Sequence, residues 1–137
     1  VASLAQHAAG VELLFEPDPE SVEVPFVADA RRIQQILVNL ISNALKFTEK
    51  GEVKVTGALR AGLGVGVERT LVLQVDDTGR GLTDDATRYL FRPFRQLFET
   101  DATVKGGAGL GLYICRGILE AMNGQIHAAP RPTGGAS

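Results

Sequence analysis

A chain of 137 residues, 45% apolar and 22% charged, is long enough for one domain with a real core. Its formal charge of −2 supplies no basic field for nucleic acid and no polybasic anchor for a membrane surface. No apolar run reaches the length of a membrane span and no signal-peptide pattern opens the chain; the lone cysteine, Cys115, excludes an internal disulfide and a cysteine-built zinc site. Cys115 reads as a small core side chain, and the cytoplasm is the expected setting.

In chain order, residues 1–9 read as the end of a helix stopped by Gly10, and 11–16 as a strand. The acidic, proline-bearing segment from Pro17 to Pro25 predicts a surface loop. Asp29 then stands as N-cap of a long amphipathic helix that runs to Lys50 and is ended by Gly51. Its apolar face carries Ile33, Ile36, Leu37, Leu40, Ile41 and Ala44. At about 100° per residue, Arg32, Gln35, Asn39, Asn43 and Lys46 fall on a second line that borders that face. Half-buried amides cost free energy unless they find partners, so this edge suits the wall of a polar ligand site.

Val53 and Val55 open a strand that continues towards Leu59. The glycines of residues 62–66 read as a hairpin loop, because no helix follows to supply free N–H groups. Leu71, Leu73 and Val75 share a face of the next strand, and Asp77 ends it on that same face. The turn Thr78-Gly79-Arg80-Gly81 after it allows the backbone to come close to a ligand. Thr83 caps a short helical piece to Thr87, and Phe91 and Phe94 around Pro93 read as core anchors. Residues 98–105 predict a mobile loop leading into the glycine-rich run 106–111 and a helix from Leu112 to Met122. A glycine loop entering a helix N-terminus can bind phosphate, although neither the dinucleotide fingerprint nor a Walker A lysine is present. Asn123-Gly124 ends this helix, Gln125 to Ala129 reads as a strand, and the remainder as a loop-like tail.

The amide stripe, Asp77 with its glycines, and the late glycine loop would all be used by one ligand, a magnesium–ATP complex. A carboxylate accepts from the exocyclic amine of adenine; against the carbonyl of guanine it leaves two acceptors facing, at about 1–3 kcal/mol per unsatisfied buried group. Amide oxygens are hard ligands suited to magnesium.

These stretches resemble the ATP-binding catalytic domain of sensor histidine kinases, in the superfamily shared with gyrase, the heat-shock chaperone of ninety kilodaltons and the mismatch-repair MutL protein. The N box is matched by Asn39-Leu-Ile-Ser-Asn43-Ala-Leu-Lys46-Phe47-Thr48, preceded by Asp29-x-x-Arg32. The first glycine box is matched by Asp77-Thr-Gly79-Arg-Gly81, the F box by Leu90-Phe91-Arg-Pro93-Phe94, and the second glycine box by Gly107-Ala108-Gly109-Leu110-Gly111-Leu112. The resemblance covers the chain from about Val1 to Gly135, as one catalytic and ATP-binding domain over residues 1–137. It implies a two-layer α/β sandwich (the Bergerat fold), with a mixed sheet packed on helices and a mobile lid from about Gln96 to Gly111.

By that resemblance Asn43 holds the magnesium, Asn39 reaches the metal or a phosphate, and Lys46 meets phosphate. Phe47 packs near the nucleotide and Asp77 binds adenine beside Gly79, Gly81 and Leu82. Lys105, Gly107, Ala108, Gly109, Leu110, Gly111 and Leu112 close over the triphosphate. The implied partners are the protein's own dimerisation and histidine-phosphotransfer domain and, indirectly, a response-regulator receiver domain. Neither nucleic acid nor direct membrane contact is implied.

Asn39 stands where the gyrase and chaperone branch has a water-activating glutamate, and an amide is no general base near neutral pH. A kinase domain that transfers phosphate is therefore expected, over an ATP hydrolase of that branch or a nucleotide-responsive module that transfers nothing. Neither His7 nor His127 sits in the family's phosphoacceptor pattern, so the phosphorylated histidine is expected on another domain. Two further departures are Ala108, where Ser or Thr is common, and an end at Ser137, before the family's last strand.

Overall fold

The computed structural model describes residues 6–8, 10–21, 24–61, 69–93, 110–131 and 134–137. Four strands, β1 (Gln6–Ala8), β2 (Val11–Pro17), β3 (Gly51–Ala61) and β4 (Arg69–Asp77), form a sheet in that order. The helices are α1 (Ala30–Phe47), α2 (Asp84–Tyr89) and α3 (Gly111–Ala121). β1–β2 and β3–β4 are antiparallel and β2–β3 is parallel, so the sheet is mixed. With helices packed against it, the molecule is an α/β sandwich, as expected.

The parallel pair fixes where the chemistry sits. Two parallel strands need a crossover, and α1 supplies it between β2 and β3. Asp29 caps this helix, its Oδ1 accepting from the N–H groups of Arg31 and Arg32 at 3.0 and 3.1 Å. α1 ends at Phe47, three residues short of Lys50, and Thr48 turns the chain into β3. β4 runs back antiparallel to β3, with Val53 opposite Asp77 and the N–H of Thr78 donating to Glu52 O at 3.1 Å. The C-terminal ends of α1 and β4 therefore meet at the same end of the sheet.

Val11, Ala44 and Val53 form the buried centre between sheet and α1, with Leu13, Leu45 and Val75 packed against it. A second contact, Ile36 with Cys115, joins α1 to α3. Among the described residues no helix is long and apolar enough to cross a membrane.

The structure corrects two expectations. Residues 6–8 form β1, not the end of a helix, and His7 lies in that strand. Ala8 pairs with Val11, and Gly10 has φ of 96°. A left-handed glycine serves a hairpin turn as readily as a helix end, which is why its presence misled. Residues 125–129 form no strand, and the tail is not loose. Ala129 and Ser137 exchange two backbone bonds of 2.9 and 3.0 Å, and Pro130 bridges Ala136. The expected hairpin loop at 62–66 lies outside the described residues.

Candidate nucleotide site

Asp77 is 9% exposed at the end of β4, and its own neighbourhood holds it in place. Its Oδ1 accepts from the N–H of Gly79 at 2.8 Å and of Ala136 at 3.3 Å. Its N–H donates to Ala136 O at 2.9 Å, and its carbonyl accepts from Arg131 Nη1 at 2.9 Å. Oδ2 takes no hydrogen bond from any described residue. One oxygen is thus committed to the fold and the other is available.

The turn after Asp77 folds onto the end of α1. A side chain on Gly79 would collide with the carbonyl of Phe47, and the N–H of Arg80 donates to that same oxygen at 3.4 Å. The guanidinium of Arg80 lies 5.7 Å from the centre of the Phe47 ring, and the ammonium of Lys46 lies 5.2 Å from it. Two cations at one ring form a positive rim beside the carboxylate. Thr48 Oγ1, at the C-terminal cap of α1, is buried without a hydrogen-bond partner among the described residues, leaving a polar atom for a water or ligand to satisfy.

α3 packs on α1. Leu110 caps it with no side-chain hydrogen bond, so the first N–H groups of the helix have no side-chain acceptor there. Gly111 opens the helix against Asn39: a Cβ there would stand 3.2 Å from Asn39 Oδ1. Asn39 and Asn43 are half-buried, and Lys46 is exposed. Cys115, a turn further on, is fully buried, and burial pushes its thiol pKa up, with the Asn39 side chain acting in the opposite direction.

The structure brings Lys46, Phe47, Asp77, Gly79 and Gly81 together at the end of β4, and Asn39 together with Gly111 two turns earlier on α1; Asn43 lies on α1 between the two groups, Leu82 follows Gly81, and Leu110 and Leu112 flank Gly111. Lys105, Gly107, Ala108 and Gly109, with Phe94 and most of the expected lid, lie outside the described residues. Phe91 is half-buried and lies outside the buried core cluster. His127 is exposed, 3.3 Å from Gln125 Oε1. Two concavities, of about 190 Å³ beside Phe91, Arg116 and His127 and about 520 Å³ around Asp18, Arg60 and Arg69, include none of Asn39, Asn43 and Asp77.

Residues 28–137 match the family described as histidine kinase-, DNA gyrase B- and HSP90-like ATPases. The chain belongs to this ATPase family. Within the family it is similar to proteins of two-component signalling, histidine kinases among them. It is 39% identical to Two-component system protein A of Emericella nidulans, over 93% of this chain and 19% of that protein. It is 37% identical to the signal transduction histidine-protein kinase BaeS of Escherichia coli, over 93% of this chain and 26% of that one. Among solved structures, full-length ShkA in complex with AMPPNP is 33% identical with a TM-score of 0.74, over 93% of this chain and 24% of that one. The catalytic domain of the histidine kinase ThkA, nucleotide-free, is 30% identical with a TM-score of 0.69, over 92% of this chain and 74% of that one. The chain thus spans about a quarter or less of these curated relatives, and it is similar to their ATP-binding catalytic domain.

Arg131, Gly135 and Ala136 were missed in the sequence, because a tail of Pro, Gly and small residues carries no periodicity. The adjacent glycines were the available signal. Gly134 and Gly135 have φ of 89° and 88°, and a side chain on Gly135 would collide with the carbonyl of Asp77, whereas Gly134 faces open space. Gly135→Ala should therefore destabilise by more than the roughly 1–3 kcal/mol of left-handed strain alone, and Gly134→Ala only by that strain. Urea denaturation of both variants checks this; equal losses would mean that the tail is not seated on Asp77.

Proposed function

We propose that this domain binds ATP with magnesium between α1, the Asp77 turn and the start of α3, and that it donates the γ-phosphate to a histidine on a separate dimerisation domain. The observation that carries this reading is the divided carboxylate of Asp77, with Oδ1 held by two backbone N–H groups and Oδ2 open. An acceptor fixed in this way suits the exocyclic amine of adenine and opposes the carbonyl of guanine. That ShkA was solved with an ATP analogue supports the same ligand class.

The residues present fit a magnesium ion bound with the nucleotide. The protein's share would fall to the amide oxygens of Asn43 and Asn39, both half-buried on α1. Magnesium retains waters and takes phosphate oxygens, and needs only one or two protein ligands. When bound it would neutralise charge on the β- and γ-phosphates. Lys46 and the uncapped N–H groups of α3 would stabilise charge at the other oxygens.

Transfer forms a bond between an imidazole nitrogen and the γ-phosphorus and breaks the bond from that phosphorus to the β–γ bridging oxygen, with ADP leaving. This chain contributes positioning and charge stabilisation. Asn39, an amide, does not take a proton from water, so hydrolysis is slow. The histidine-bearing partner belongs to the same kinase, a receiver domain takes the phosphate next, and the reading places the domain in the cytoplasm with its ATP.

Incubation with γ-labelled ATP, magnesium and a separately supplied dimerisation domain should label that domain's histidine. Intact ATP binding without transfer would instead identify a nucleotide-responsive module, and fast phosphate release would identify a hydrolase. Asp77→Asn should weaken ATP roughly 5- to 150-fold and erode its preference over GTP, as read by calorimetry; unchanged selectivity would put adenine elsewhere. For Asn43→Ala the expected result is loss of the magnesium dependence of ATP affinity, and a retained dependence would remove Asn43 from the metal.

A further inference from the structure

At the outer edge of β4, Asp77 and Ala136 lie side by side without completing a regular bridge. A Cβ on Gly135 would stand 3.0 Å from Thr78 Cα and against the Asp77 carbonyl, so the tail runs antiparallel to β4 here. Two residues hydrogen-bonded across an antiparallel pair exchange both of their backbone bonds. One is present, from the N–H of Asp77 to Ala136 O at 2.9 Å. The return bond is diverted: the N–H of Ala136 donates to the Asp77 carboxylate, 3.3 Å from Oδ1. The carbonyl it would have met accepts instead from Arg131 Nη1 at 2.9 Å.

This exchange of partners depends on the guanidinium. The carbonyl of a buried residue draws on a donor within reach, and the Ala136 N–H stands beside this one. Arg131 satisfies the oxygen from a side chain and so releases that N–H to the carboxylate. The backbone of Arg131 is itself closed into the tail, its N–H donating to Gly135 O at 3.2 Å and its carbonyl accepting from the N–H of Gly134 at 3.1 Å. The last torsion of an aspartate is broad and roughly two-fold, so the donors around the carboxylate decide which oxygen faces outward. Gly79 holds Oδ1 from the turn, and Ala136 holds the same oxygen from the tail.

We propose that Arg131 is a positioning residue for adenine specificity: by taking the Asp77 carbonyl it frees the Ala136 N–H to lock Oδ1, which keeps Oδ2 free for the base. The proposal rests on the reading of Asp77 as the adenine acceptor. Arg131 acts through Asp77 and Ala136 and needs no contact with the nucleotide.

The test compares ATP with GTP affinity by calorimetry on the 137-residue chain, with magnesium present. Partial unfolding lowers both affinities alike and leaves their ratio unchanged. Arg131→Met, which keeps an apolar stem and removes the donors, should lower the preference for ATP roughly 5- to 10-fold. Arg131→Lys, which keeps a donor, should restore most of it. In an Asp77→Asn background, Arg131→Met should have no further effect on the ratio. A second readout needs no nucleotide: Asp77→Asn should move the Ala136 amide resonance in the parent chain and much less in the Arg131→Met chain, where that N–H has turned to the backbone carbonyl. An unchanged ratio in Arg131→Met, or an Ala136 resonance equally sensitive in both chains, overturns the positioning role. If Asp77→Asn itself leaves the ratio unchanged, the adenine reading of Asp77 fails and the specificity role falls with it, while the Ala136 resonance still decides whether Arg131 sets the acceptor of that N–H.

Discussion

A carboxylate that has lost most of its contact with water at a strand end must be matched by donors, and Asp77 draws them from two directions. Gly79 supplies an N–H from the turn that follows it, and Ala136 supplies one from the far end of the chain. An isolated buried charge would cost several kcal/mol or would neutralise. Closing this shell therefore constrains both the turn and the tail. Gly79 lies under the Phe47 carbonyl, Gly81 under Gly135 and Gly135 against Asp77 itself, so the backbone is drawn in wherever a side chain would hold it off. The guanidinium of Arg131 takes the Asp77 carbonyl as well, which ties the tail to β4 through main chain and side chain together.

The second constraint is the parallel pairing of β2 and β3. It requires a crossover, the crossover is α1, and α1 delivers its C-terminal turn to the end of the sheet where Asp77 lies. Lys46 and Phe47 arrive there as a consequence, and Arg80 stacks towards the same ring from the turn. α3 then packs on α1 through Cys115 and Ile36 and brings an uncapped helix N-terminus beside Asn39. Lys46, Phe47 and Asp77 sit at the ends of elements that also carry core residues, whereas Asn39 and Asn43 lie along α1 itself.

Much of this was legible in the residues. The three- and four-residue spacing along α1 exposed both its core face and its polar edge, and the period of two along Leu71, Leu73 and Val75 brought Asp77 onto the inner face. The resemblance to the kinase catalytic domains joined these pieces into a fold, and the family match supports it. Short and aperiodic elements were not legible. β1 has three residues, too few for a pattern, and the glycine after it is equally at home in a hairpin or at a helix end. The tail after Ala128 is rich in proline, glycine and small side chains and carries no period, and Arg131 and Ala136 take their places from contacts with Asp77 more than fifty positions away in the chain.

By itself the sequence determined the kinds of chemistry available. It places an amide and not a carboxylate at Asn39, a cation at Lys46 and an acid at Asp77. These are properties of side chains and survive any arrangement of the backbone. Only the tertiary structure decided which oxygen of Asp77 is committed, which tail residues hold it, and which helix confines Asn39. Those depend on where distant segments come to rest, and for Arg131, Ala136 and Cys115 no local pattern records the contact that gives them their place.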